Sequence, residues 1–99
     1  MKQPCVYIMC NKNKTTLYTG VTSNLLKRVY QHKTKAFNGF TSRYNCDQLA
    51  WYQSFSNITE AIAFEKKIKA GSRAAKEKII SHQNPEWNDL AEDWIFTVT

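Results

Sequence analysis

The chain has 99 residues, 42% of them hydrophobic and 13% aromatic, which suits one small packed core and excludes a disordered tract. No apolar run approaches the roughly 18 residues of a spanning helix, which argues against a membrane protein. The net charge of +6 is lopsided, with eight Lys and Arg and no Asp or Glu in residues 1–46, and all eight acids in residues 47–99.

Such a surface attracts polyanions, of which nucleic acid is the usual one. Any carboxylate chemistry must then come from the second half. The start, Met1-Lys2-Gln3-Pro4, leads into too few apolar residues for a secretory signal, so a cytoplasmic protein is expected. Cys5, Cys10 and Cys46 have neither an even count nor CxxC spacing, so they read as small buried residues in a reducing compartment. No repeat, low-complexity stretch or linker divides the chain.

Residues 5–9 and 15–21 are β-branched and aromatic, and a polar turn at 11–14 joins them, so they predict an antiparallel hairpin. Thr22, Ser23 and Asn24 offer N-caps for a helix over about 24–34. Residues 35–48 show no period and read as a loop. Leu49–Phe55 reads as a third strand. Asn57 and Glu60 resemble a capping box for a helix to about Ala70, with Gly71 as its stop. Ser72 can cap a further helix through about Ser81. The apolar residues of the tail from Trp87 to Thr99, among them Trp94, Ile95 and Phe96, are expected to cover the domain's own core, the alternative being a second subunit. The order β-β-α-β-α-α is that of an α/β domain, a small sheet flanked by helices.

The helical angles single out chemistry. At about 100° per residue, with Ile58 at the origin, Ala61 falls at about 300°, Ile62 at about 40° and Ile68 at about 280°. Glu65 falls at about 340°, inside that apolar arc, and Glu60 falls outside it. A buried carboxylate is costly unless paired, protonated or metal-bound. An ion-paired Glu and a functional Glu are equally good readings of the angle alone.

On the first helix, Leu25, Leu26, Val29 and Tyr30 form the core stripe. Arg28 and His32 are i, i+4 neighbours on its edge. They suit phosphate binding and proton transfer, or two snorkelling surface side chains. Tyr7 and Tyr18 fall near each other across the hairpin. Gly20 shares the strand face of Tyr18, and a glycine inside a strand often marks close approach of another group.

Together these residues resemble the GIY-YIG endonuclease superfamily. Cys5-Val6-Tyr7 stands for the first motif and Tyr18-Thr19-Gly20 for the second, with Arg28, His32 and Glu65 following in order. The nearest likeness is to its small stand-alone excinuclease-C-like, or URI, domain proteins, over roughly residues 4–90. Lys69 to Arg73 and Asn84 to Leu90 also resemble that group. The departures are Cys-Val for Gly-Ile and Thr19 for Ile.

The resemblance implies a three-stranded sheet with helices, one nuclease-like domain over residues 1–99, and divalent-metal-dependent hydrolysis of DNA phosphodiester bonds, in repair or recombination. It implies Glu65 as ligand of a single Mg²⁺ or Mn²⁺, Arg28 on the scissile phosphate, and Tyr7 as general base, helped by the nearby arginine, the metal or His32 to lose its proton. Tyr18 would position the water or phosphate. Gly20 and Asn84 would support the site, with Asn88 the alternative to Asn84.

Lys27, Lys33, Lys35 and Arg43 are candidate nucleic-acid contacts. A further reading is an RNA- or ribosome-associated basic protein whose exposed aromatics stack on single-stranded bases; Phe37, Phe40 and Tyr44 are candidates for that role and equally for the core. The acids Glu86, Asp89, Glu92 and Asp93 are expected to lie away from the DNA. A partner protein supplying specificity is also compatible. The competing reading is a nucleic-acid-binding module that keeps the fold and cleaves nothing.

Overall fold

The structure is a computed structural model that describes residues 3–36 and 39–96; Phe37 and the end of the tail lie outside the described residues. The predicted hairpin is present as β1 (Cys5–Cys10) and β2 (Leu17–Thr22), antiparallel, with Tyr7 opposite Gly20 and Met9 opposite Tyr18. β2 begins later than the sequence suggests, because the turn captures its first residues. The Asn11 carboxamide oxygen accepts from the Thr15 and Thr16 amides at 2.9 and 3.0 Å. The third strand, β3 (Gln48–Ser54), pairs antiparallel with the other side of β1, so the order is β2-β1-β3. Ile8 faces Trp51 and Met9 faces Leu49, which leaves Ala50 as the extra residue of a bulge.

Among the described residues four helices complete the fold: α1 (Leu25–Lys33), α2 (Phe40–Arg43), α3 (Ile58–Ala70) and α4 (Arg73–Gln83). Asn24, Asn57 and Ser72 cap the three long ones by accepting amides from Lys27, Glu60 and Ala75. The Asn57–Glu60 box closes reciprocally through the two side chains, at 2.9 and 3.1 Å. Gly71 ends α3 in an extended conformation, φ −79°, and not the left-handed one its type suggests. The segment 35–48 is not all loop, since it contains α2. This helix opens on Gly39 at φ 136°, a conformation that glycine alone adopts readily.

All six residues of β1 are buried, and its two faces start two cores. Cys5, Tyr7 and Met9 pack with Leu25 and Val29 of α1, and with Cys46, Leu49 and Ala91. Val6, Ile8 and Cys10 pack with Ala61 and Ile68 of α3 and Ile80 of α4. The sheet is thus covered on both faces, which is why β1 reads as an unbroken apolar run. The helix rolls differ from the sequence reading. Ile58 and Ile62 are exposed, Leu26 is exposed, and His32 is buried. Among the described tail residues, Trp94 and Phe96 pack on the Tyr7 face and Trp87 on the other, while Ile95 is 85% exposed and covers nothing. All three cysteines are buried free thiols. Among the described residues no helix is long and apolar enough to cross a membrane.

Candidate active site

Antiparallel pairing puts Tyr7, Met9, Tyr18 and Gly20 on one sheet face, since directly opposed residues share a face. α1 lies on that face, and its roll brings His32 down onto the tyrosines. The Tyr7 hydroxyl and His32 Nε2 are 2.9 Å apart in a buried hydrogen bond. The ring centroids of Tyr7 and His32, and of Tyr18 and His32, are both 5.5 Å apart. Gly20 is needed for this arrangement. A Cβ at Gly20 would stand 2.5 Å from the Tyr7 hydroxyl oxygen, and Tyr7 is fully buried and has nowhere to retreat.

Burial is the main cause that pushes the Tyr7 phenol well above its ordinary pKa, with Tyr18 adding to it. Arg28 acts on the same phenol in the opposite sense, by charge and by a hydrogen bond. His32 is lowered to about 4, first by burial and then by the Arg28 charge. At neutral pH the pair is therefore a neutral phenol against a neutral imidazole.

Glu65 comes from α3, on the other side of the sheet, yet its charge also acts on Tyr7. It is buried as the helical angle suggests, and its partner is Lys69 one turn on, at 2.6 Å. Lys69 is a half-exposed surface side chain, so Glu65 is not sealed under an arginine. The five residues Tyr7, Tyr18, Arg28, His32 and Glu65 thus gather at the β2 side of the sheet.

The remaining sequence candidates divide. Lys27, Lys35 and Arg43 are exposed. Lys33 is not an open phosphate contact, because it bridges Asp89 at 2.5 Å and donates to the Asp47 carbonyl at 3.0 Å. That bridge forms because Asp89 and Leu90 run along β3, where the Leu90 amide donates to the Leu49 carbonyl and the Leu49 amide to Asp89. This part of the acidic tail therefore lies at the sheet edge opposite β2. Asn84 is buried and donates to the Ala50 and Asn88 carbonyls at 3.0 and 2.8 Å. It ties the end of α4 to the β3 bulge and does not touch the tyrosines. Asn88 is exposed.

The family model described as the GIY-YIG catalytic domain matches residues 3–78. The chain belongs to the GIY-YIG family. It is 33% identical over 85 residues to the UPF0213 protein of Oceanobacillus iheyensis, covering 86% of this chain and 98% of that one. It is 30% identical over 84 residues to the UPF0213 protein of Aeromonas salmonicida, covering 84% of this chain. The chain spans 60% and 59% of the two Aeromonas proteins it matches. The solution NMR structure of the UPF0213 protein from Bacillus halodurans superposes with a TM-score of 0.56 at 26% identity, over 92% of this chain and 97% of that one.

The GIY-YIG motifs of this chain depart from the family's letters without disturbing the strands. Cys5, in place of the glycine, is buried and still pairs with Thr22 and Ser54. Thr19 is buried on the face away from Tyr18. Sequence reading missed Lys69 and Lys76 beside Tyr18. For Lys69 the signal existed, since it is i+4 from Glu65.

Proposed function

We propose that this GIY-YIG chain is a divalent-metal-dependent endonuclease that hydrolyses DNA phosphodiester bonds, in repair or recombination, with residues 1–99 acting as one nuclease domain. What carries the reading is the buried Tyr7–His32 hydrogen bond, with Arg28 and Glu65 acting on the same phenol. Three free buried thiols suit a reducing compartment such as the cytoplasm.

Arg28 binds the scissile phosphate and offsets the charge that grows on it. Tyr7 is too basic to rest as a phenolate, so it can take a proton from water only as it passes its own to His32. His32 rests neutral and can accept. An arriving phosphate raises its affinity for that proton, because a nearby anion favours the imidazolium. Tyr18, packed on the same imidazole, orients the water or phosphate. Gly20 keeps the Tyr7 hydroxyl where this transfer works.

Among the described residues no three His, Cys, Asp or Glu cluster together, so a cage built wholly of side chains does not fit. A lone carboxylate paired with a half-exposed surface lysine does fit Mg²⁺ or Mn²⁺, ions that keep most of their waters. Glu65 would hold it, displacing Lys69, and the ion would supply charge stabilisation of the leaving 3′ oxygen.

Plasmid nicking tests the proposal. Wild type with Mg²⁺ or Mn²⁺ should cut, and Glu65→Ala and Arg28→Ala should not. Activity that survives both changes removes these residues from the mechanism. A wild type that binds DNA and cuts none leaves the chain a binding module.

A further inference from the structure

A cleft of about 350 Å³ opens beside Tyr18, lined by Leu17, Tyr18, Thr19, Phe40, Lys69 and Lys76. Its two walls differ chemically. One is aromatic. The Phe40 ring is 6.3 Å from Tyr18 and 4.8 Å from Tyr44, so rings run in series from the buried His32 out to solvent. The other wall carries Lys69, which is paired with Glu65, and Lys76, whose ammonium gives one hydrogen bond to the Gly71 carbonyl at 2.9 Å and has two further N–H groups to donate.

Phe40 and Tyr44 are not core residues. They are 49% and 45% exposed, Phe40 at the start of the one-turn helix α2 and Tyr44 as its C-cap, beside the exposed Arg43. Holding two large rings half in water forgoes the burial that usually fixes aromatic side chains. A base stacked on them would restore it. An aromatic face opposite two ammonium groups matches the two ends of a nucleotide, an apolar base plane and an anionic phosphate. Bases inside a duplex already stack on one another and cannot offer that plane, whereas an unpaired base can.

We propose that Phe40 and Tyr44 stack an unpaired DNA base adjoining the cleaved phosphate while Lys76 contacts the next phosphate, so that the chain selects single-stranded DNA or a single-stranded segment beside a duplex. The position of the cut relative to the platform rests on the nuclease reading above; the stacking itself does not.

The test uses Glu65→Ala protein and a single strand carrying a fluorescent base analogue quenched on stacking, with a duplex of the same sequence as control. Tyr44→Ala and Phe40→Leu should each weaken single-strand binding about tenfold and lessen the quench, with duplex affinity unchanged within about twofold. Phe40→Trp should keep both binding and quench, which separates stacking from a general disturbance of α2. Equal losses on both DNAs, or no loss on the single strand, overturn the proposal. If wild type cuts no DNA while the single-strand preference holds, the nuclease reading fails alone. If it cuts duplex and single strand equally and the aromatic variants bind normally, the platform fails alone.

Discussion

The two edges of the sheet both hold polar side chains out of water, by different means. At the β3 edge, Asp89 accepts from the Leu49 and Ala91 amides and from Lys33, and Asn84 bonds the backbone of Ala50 and Asn88. Nearly all partners there are neutral backbone groups that do not titrate, and the result is a clamp. At the β2 edge, titratable groups face one another. Tyr7 meets His32 and Arg28, Glu65 meets Lys69, and the phenol and imidazole are both driven from their ordinary pKa values. Groups satisfied by backbone hold the chain, whereas titratable groups that perturb one another next to a cleft are where the proposed chemistry would take place.

The largest effects should split the edges by type of loss. Arg28→Ala should lower nicking by about 10²–10³-fold with little change in melting, the scale of removing one charge-stabilising donor. A similar loss from Asn84→Ala, corrected for the folded fraction, would place the clamp in the chemistry and undo the comparison.

The next effect follows from His32. Its folded value of about 4 lies below the unfolded imidazole value of about 6.5, so the unfolded chain binds the proton first as pH falls. Stability should therefore drop by about 3 kcal/mol as pH goes from about 6.5 to about 4, and be fully present above that window. Urea titrations of wild type and His32→Gln across this range provide the check. The carboxylates titrate in both proteins, so the difference between the curves isolates His32. Parallel curves would mean that His32 takes up its proton in the fold as easily as in the open chain.

The β2 edge was the more legible of the two. Hairpin spacing put Tyr7 near Tyr18, the i, i+4 step joined Arg28 to His32, and the helical angle put Glu65 under cover although Ile58 and Ile62 proved exposed. The buried arc of α3 is centred on Ala61 and Ile68 instead, and Glu65 lies within either arc. Local periodicity carries such information because each residue is placed by neighbours within a turn or a strand. The clamp was not legible, because Lys33 and Asp89 are 56 positions apart and nothing local pairs them. α2 escaped notice because one turn is too short to show a period and its N-cap, Gly39, makes no side-chain capping bond. With α2 went the neighbourhood of Tyr18 and Phe40.

At the β3 edge, Asn84→Ala should cost about 1–3 kcal/mol, because it leaves the buried Ala50 carbonyl without its donor. Thermal melting measures this. The specific activity of the folded protein should stay within about twofold of wild type, well short of the losses expected at the β2 edge.

The smallest effect concerns two lysines two residues apart. Lys35 is exposed at the end of α1, and Lys33 is bridged to Asp89. If phosphate contact needs an open cation, Lys35→Ala should reduce the slope of log affinity against log salt by about one, measured between about 50 and about 200 mM. Lys33→Ala should leave that slope unchanged and lower stability by at most about 1 kcal/mol, as for a partly exposed ion pair. The net charge changes equally in both variants, so a general loss of positive field would lower both slopes together. A slope that falls for Lys33 alone would require its bridge to Asp89 to open on DNA, and the acidic tail would then act as a competitor for the lysine that phosphate displaces.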